Sequence, residues 1–257
     1  MDASRQLQDR VALITGGGGG IGRAMATVFS ENGARIVVTD ARETGQGVAD
    51  EVGGRFLLAD ISDPDETREL CRRAIELEGR VDILVNNAGL QHISPVEDFP
   101  DDEWSRLVQI MLIAPFQLTK HVVPGMKERG WGRIINMSSI HGLVASPFKS
   151  AYVAAKHGLI GLTRTVALEV GDHGVTVNAI CPGYSNTALV RSQIGDQART
   201  RGISEDDVLD KVMLEPAAIK RLVEPEEIAR LALFLASDDA RSITGAAMSI
   251  DAGWTAR

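Results

Sequence analysis

Tyr152 and Lys156 stand four residues apart in Ser-Ala-Tyr-Val-Ala-Ala-Lys-His-Gly, residues 150–158. On a helix that spacing puts both side chains on one face, one turn apart. A lysine ammonium beside a phenol favours the phenolate and lowers a pKa that starts at about 10, which would make Tyr152 a general base. Ser139 lies thirteen residues earlier, just after an apolar run, and can hydrogen-bond the reacting oxygen. Taken singly these are weak signals, since Tyr-x-x-x-Lys pairs arise by chance on many helices.

Glycine supplies 26 of 257 residues against roughly 18 at average usage, and five of them form the run 16–20. The run follows Val-Ala-Leu-Ile-Thr at 11–15 and opens an amphipathic segment, so it reads as a strand, a turn and a helix start rather than a flexible linker. Thr15, Gly16, Gly20, Ile21 and Gly22 would let the backbone approach a pyrophosphate at the helix N-terminus. Asp40 follows Gly22 by eighteen residues, close to the offset of about 20 at which an acid binds the adenosine ribose hydroxyls. A carboxylate there repels a 2′-phosphate, so the expected cofactor is NAD, with Arg23 and Arg42 near enough in sequence to keep NADP open. An oxidised nicotinamide would add positive charge to that of Lys156, since bringing Tyr152 near 7 needs roughly 4 kcal/mol.

These residues must be held by something regular. Short apolar runs alternate with longer amphipathic segments, the pattern of a parallel sheet wrapped by crossover helices. Strands are expected at 11–15, 35–39, 55–59, 83–86, 133–137, 175–180 and 247–250, with helices at 21–31, 64–78, 104–128, 150–170 and 225–235. The fold class is therefore α/β, one doubly wound Rossmann domain over residues 1–257 with seven parallel strands. Asp60-Ile61 and Asn86-Asn87-Ala88-Gly89 end their strands on the carboxyl edge of that sheet, where ligands bind in open α/β folds, which adds Asp60, Ile61, Asn87 and Gly89 to the cofactor set. Residues 184–222 break the alternation; a short helical substrate lid and a plain surface excursion both fit.

The order of these motifs resembles that of the short-chain dehydrogenase/reductase family: Thr-Gly-x-x-x-Gly-Ile-Gly, Asn-Asn-Ala-Gly, Ser139, Tyr-x-x-x-Lys, then Pro182-Gly183 with Thr187. The resemblance runs from about residue 9 to 254. It implies that Tyr152 takes a substrate hydroxyl proton while hydride passes to NAD. It also implies that Lys156 holds the nicotinamide ribose, and that Pro182, Gly183 and Thr187 contact the carboxamide or phosphates. One position departs: the family's usual asparagine on the long helix, whose backbone carbonyl holds a relay water, is Met111 here. Pro115, four residues on, has no N–H to give the Met111 carbonyl, which leaves that carbonyl for the relay; a buried methionine at a simple kink is the other reading.

Within the family, His141, Lys149, Leu90-Gln91-His92 and Gly253-Trp254 resemble the branch that oxidises (R)-3-hydroxybutyrate to acetoacetate. That implies Gln91, His141, Lys149 and Gln193 around a small anionic hydroxy-acid substrate, Ser139 and Tyr152 at its hydroxyl, and Trp254 closing the pocket. Other activities of the family on thioesters, sugars or secondary alcohols remain as alternatives, as does a cofactor-binding sensor without turnover. The family commonly forms homotetramers.

Charge and composition bound the rest. With 27 basic and 35 acidic residues the net charge is −8, which argues against nucleic acid or an anionic membrane as the main partner. Cys71 and Cys181 sit in no metal or disulfide spacing, so no metal is expected and a reducing, cytoplasmic setting fits. No apolar stretch reaches membrane-spanning length, and no targeting segment is read at the start.

Overall fold

The computed structural model describes residues 6–256. Seven strands, β1 Val11–Thr15, β2 Arg35–Asp40, β3 Arg55–Leu58, β4 Ile83–Asn86, β5 Gly132–Met137, β6 Val175–Pro182 and β7 Ala247–Ile250, lie in one parallel sheet ordered β3-β2-β1-β4-β5-β6-β7. The order turns back between β1 and β4, where Ala12 pairs with Ile83 and Ile14 with Val85. Such a switch point opens a crevice at the carboxyl ends of the strands.

Nine α-helices are α1 Gly20–Glu31, α2 Gly45–Glu51, α3 Pro64–Glu78, α4 Asp101–Val108, α5 Ala114–Arg129, α6 Ser150–Val170, α7 Ala188–Arg201, α8 Glu205–Asp207 and α9 Pro225–Ala236, among the described residues. Alternate strand residues feed two cores: Leu13, Val37 and Leu84 pack with Leu70 and Leu118 on one face, Ile14, Val38 and Ile83 with Met25, Phe29 and Leu235 on the other. A sheet covered on both faces needs apolar residues at successive positions, which is why the strands read as continuous runs.

Three departures from the expected elements have physical reasons. The helix expected over 104–128 is two helices, α4 and α5, joined by a π turn at Gln109–Ile113 in which the Ala114 N–H donates to the Gln109 carbonyl. Pro115 cannot donate to Met111, and the wider turn carries the chain past that gap. Helix α2 was not expected because Gly45 and Gly47 weaken it; yet Gly45 is required, since a Cβ there would lie 2.4 Å from the Phe56 ring. Strand β6 continues past residue 180 because Cys181 and Pro182 pair with Ser249 and Ile250 of β7.

The irregular stretch forms a small helical cap of α7, α8 and a π turn at Val208–Met213. Tyr184, Val208 and Met213 pack there on Ile140, with Trp254 against them. Among the described residues no helix is long and apolar enough to cross a membrane, and no group of His, Cys, Asp and Glu could hold a metal ion.

Candidate functional site

The glycine turn is built against the end of β4. Thr15 Oγ1 accepts the backbone N–H groups of Asn87 (3.0 Å) and Ala88 (3.1 Å), while the Asn87 amide donates to the carbonyls of Thr15 (2.9 Å) and Gly16 (3.1 Å). The Asn87 side chain is thus committed to holding the turn. Gly16 takes φ +61, and a Cβ on Gly22 would lie 2.3 Å from the Gly16 carbonyl, so α1 can begin this close to β1 only through glycine. Gly19 caps α1 without a side chain, which leaves the first N–H groups of the helix facing the crevice. Asp40 ends β2, accepts the Gly18 N–H at 3.2 Å and the Arg42 N–H at 3.1 Å, and so holds its carboxylate beside the turn. Bare backbone donors with an acid at the neighbouring strand end fit a dinucleotide.

The other expected cofactor residues differ in what they present. Ile21 packs on the α1 side of the sheet. Asp60 uses its carboxylate to accept the Ser62 N–H and Ile61 is buried, so these two offer backbone more than side chain. Gly89 faces the Met111 sulfur and the Lys156 ammonium, at 3.6 and 3.9 Å from a built Cβ. Pro182 ends β6, and Gly183 bonds to Ile250 where a Cβ would meet Asp251 at 2.9 Å. Thr187 caps α7, with its methyl 3.3 Å from a Cβ placed on Gly20, so the cap begins directly over the glycine turn.

Beside this crevice lies a small cavity of about 50 Å³. Gln91, Ser139, His141, Lys149, Tyr152 and Gln193, all expected substrate residues, line it together. Trp254 does not line it. Its ring stands edge-on behind His141 at 5.8 Å, and its indole N–H donates to the Met213 carbonyl at 3.2 Å, tying the chain's end to the cap.

Local backbone explains how a lysine enters this interior. Phe148 adopts φ +66, a region costly for a bulky residue. That turn, anchored by the Ser94 N–H on the Phe148 carbonyl, sends the chain into α6 with Lys149 pointing inward, 2 % exposed. The Lys149 ammonium stands 3.4 Å from both the Tyr184 hydroxyl and Gln193 Oε1, and no carboxylate pairs with it among the described residues. Burial pulls it down to about 8. His141 is pulled to about 3 by burial and by Lys149, so it is neutral, and neither ring nitrogen makes a well-formed hydrogen bond.

Tyr152 corrects an expectation. Its phenol is pushed up rather than down, because burial outweighs the hydrogen bond from Ser139. Lys156 cannot reverse this alone: its ammonium is 5.5 Å from the ring centroid, donates to the Met137 carbonyl at 2.6 Å, and is itself drawn to about 8 by burial. Ser139 Oγ accepts the His141 N–H at 3.1 Å, and its own proton is the one directed at the Tyr152 phenol.

Tyr184 also lines the cavity and was not anticipated. The available signal was its rarity, one of two tyrosines in the chain, directly after Pro182-Gly183. Gln197 is another omission, 1 % exposed with its side-chain amide against the Tyr184 hydroxyl; its i, i+4 spacing from Gln193 was legible.

A parallel α/β sheet with a glycine turn at its switch point, next to a Ser, Tyr and Lys cluster, defines a class of oxidoreductases. Comparison agrees: the sequence model described as enoyl-(acyl carrier protein) reductase matches residues 17–255. The chain belongs to the short-chain dehydrogenase/reductase family. It is 50 % identical to a D-beta-hydroxybutyrate dehydrogenase of Rhizobium meliloti, covering 96 % of this chain and 99 % of that protein. A Cupriavidus necator protein of the same name is 42 % identical over 98 % of this chain and all of its own length. Among solved structures, a Beutenbergia cavernae protein described as an NAD(P)-dependent gluconate 5-dehydrogenase, with bound NADP at low occupancy, superposes with a TM-score of 0.89 at 32 % identity, covering 98 % of this chain and 99 % of that one.

Proposed function

We propose that this protein catalyses the reversible, NAD-dependent oxidation of (R)-3-hydroxybutyrate to acetoacetate. The observation that carries this reading is Lys149, a buried ammonium without a carboxylate partner among the described residues, facing a cavity with Gln91, His141 and Gln193. A buried charge needs pairing, and a short substrate carboxylate supplies it through charge-assisted hydrogen bonds. The names of the two relatives support the same substrate.

In oxidation, Tyr152 accepts the substrate's hydroxyl proton as the carbon–oxygen double bond forms and the carbinol hydrogen leaves as hydride. A bound nicotinamide would supply the hydride acceptor and a positive charge to add to that of Lys156. Ser139, hydrogen-bonded to the Tyr152 phenol, would turn its proton to the reacting oxygen of a bound substrate. In the reverse direction the protonated Tyr152 that burial favours donates to the ketone oxygen. Lys156 would hold the nicotinamide ribose, and the Met111 carbonyl, to which Pro115 has no N–H to give, would serve the proton relay. Thr15, Gly16, Gly20, Ile21 and Gly22 would hold the pyrophosphate and Asp40 the adenosine ribose; Asp60, Ile61, Asn87, Gly89, Pro182, Gly183 and Thr187 would complete the site, and Trp254 backs the substrate pocket.

Free thiols at Cys71 and Cys181 are in keeping with a reducing, cytoplasmic setting. Exposed Ile113, Phe116 and Leu168, near or on α5 and α6, support assembly into a homotetramer.

The test follows absorbance at 340 nm with NAD or NADP and a panel of hydroxy acids, sugars and alcohols. Turnover of (R)-3-hydroxybutyrate with NAD is expected; no turnover of any short hydroxy acid refutes the reading. Activity on a neutral substrate that survives Lys149→Ala would move the assignment to another activity of the family.

A further inference from the structure

Helix α7 carries Gln193, Gln197 and Arg201 at successive i, i+4 positions, so the three share one face and rise about 6 Å apart along the axis. Gln193 meets Lys149 at 3.4 Å, and Gln197 lies buried beside Tyr184. Arg201 sits with its guanidinium 5.5 Å from the centroid of the Phe148 ring, the residue that turns Lys149 inward. Its Nε is buried without a hydrogen-bond partner, and no acidic residue forms an ion pair with it among the described residues. Near Lys149 there is therefore a second cation, and neither of the two has an ion-paired carboxylate among the described residues.

We propose that Arg201 is a specificity-determining residue: seated on Phe148 beside Lys149, it adds a second fixed positive charge that selects substrates bearing a free carboxylate. The inference rests on the substrate class proposed above and extends it to a residue of the cap. Arg201 acts from behind the groups that line the cavity, so its effect is a field rather than a contact, and it is a positioning charge rather than a catalytic residue.

The groups facing Lys149 make the effect separable. They are Gln193 and Arg201 from α7, Tyr184 from the link after β6, and His141 and Tyr152 across the cavity. His141 stays neutral, and Tyr184 is held near 12 by burial. Arg201 is thus the neighbouring cation, and after burial its like charge is what depresses Lys149. Removing it has two consequences of opposite sense: weaker attraction for a carboxylate at neutral pH, and a Lys149 that keeps its proton to higher pH.

The experiment measures kcat/KM for (R)-3-hydroxybutyrate and for its methyl ester in wild type, Arg201→Met and Arg201→Lys between pH 6 and 10. The ratio of the two substrates cancels Tyr152 and Lys156, which serve both. For Arg201→Met the ratio is expected to fall about threefold to fivefold at pH 7, the scale of a part-exposed ion pair, with the change in KM. Its alkaline decline is expected to move up by about half a pH unit. Arg201→Lys restores both. An unchanged ratio, or a ratio that falls with no movement of its alkaline decline, overturns the proposal. Wild-type enzyme that turns over neutral alcohols but not 3-hydroxybutyrate overturns the substrate assignment and, with it, this inference; wild-type turnover with an insensitive ratio overturns the inference alone.

Discussion

Replacing Lys149 by methionine should make the protein more stable and less active. The ammonium is 2 % exposed with no acid paired to it among the described residues, and burial brings its pKa from 10.5 to about 8. At about 1.4 kcal/mol per pH unit, holding it charged inside the fold costs about 3 kcal/mol at pH 7. Because the folded value lies below the unfolded one, that cost is present in full below about pH 8, shrinks as pH rises to 10.5, and is absent above. Methionine matches the length and apolar stem of lysine, so the variant's melting temperature should rise by about 5–10 °C at pH 7 for a chain this long. The gain should fade toward pH 10. Catalysis should move the other way: loss of a buried charge-assisted contact costs about 2–5 kcal/mol, or at least thirtyfold in kcat/KM for 3-hydroxybutyrate, expressed in KM. Calorimetry across pH with steady-state kinetics checks both. A variant that melts below wild type at pH 7, or whose stability difference does not depend on pH, refutes the account of Lys149 as a cation stored for an anion.

Tyr152→Phe should lower kcat by about a thousandfold or more with little change in KM, since it removes the proton acceptor and leaves the contacts to the carboxylate; an active variant would exclude Tyr152 as the base. Asp40→Ala should raise KM for NAD and lower that for NADP, and an unchanged preference would mean that Asp40 only folds the glycine turn. Pro115→Ala restores an N–H opposite the Met111 carbonyl, so turnover should fall and its pH profile should shift; an unaltered profile would remove the carbonyl from the relay.

How much of this was readable beforehand depends on what each residue answers to. Strands β1 and β4 match their expected bounds because burial on both faces writes an apolar run between turn signals. Most of the candidate site was legible too, because chain order along a parallel sheet brings every strand's carboxyl end to one edge. Tertiary effects were not. Helix α2 forms because Gly45 lets it lie on Phe56, and the π turn before Pro115 is a backbone accommodation with no residue-type signature. Burial decided the electrostatics: the Tyr152–Lys156 spacing was right, but adjacency says nothing about desolvation, which raises the phenol and lowers the lysine. Tyr184 stayed hidden because a residue on an irregular link has no periodicity to betray which way it faces.

The sheet order has a consequence for how such a protein can change. The glycine turn and Asp40 come from β1 and β2, whereas Ser139, Lys149, Tyr152 and Tyr184 follow strands on the other side of the switch point. The residues proposed to choose a nucleotide and those proposed to choose a substrate therefore lie in separate stretches of the chain, joined by the pairing of β4 with β5 and the packing of α1 on α9. Recombination between relatives near residue 87 would carry the Asp40 end separately from the Lys149 pocket, provided that the packing of α1 on α9 and the pairing of β4 with β5 across the junction are kept, which gives this architecture a route to new pairings of cofactor and substrate.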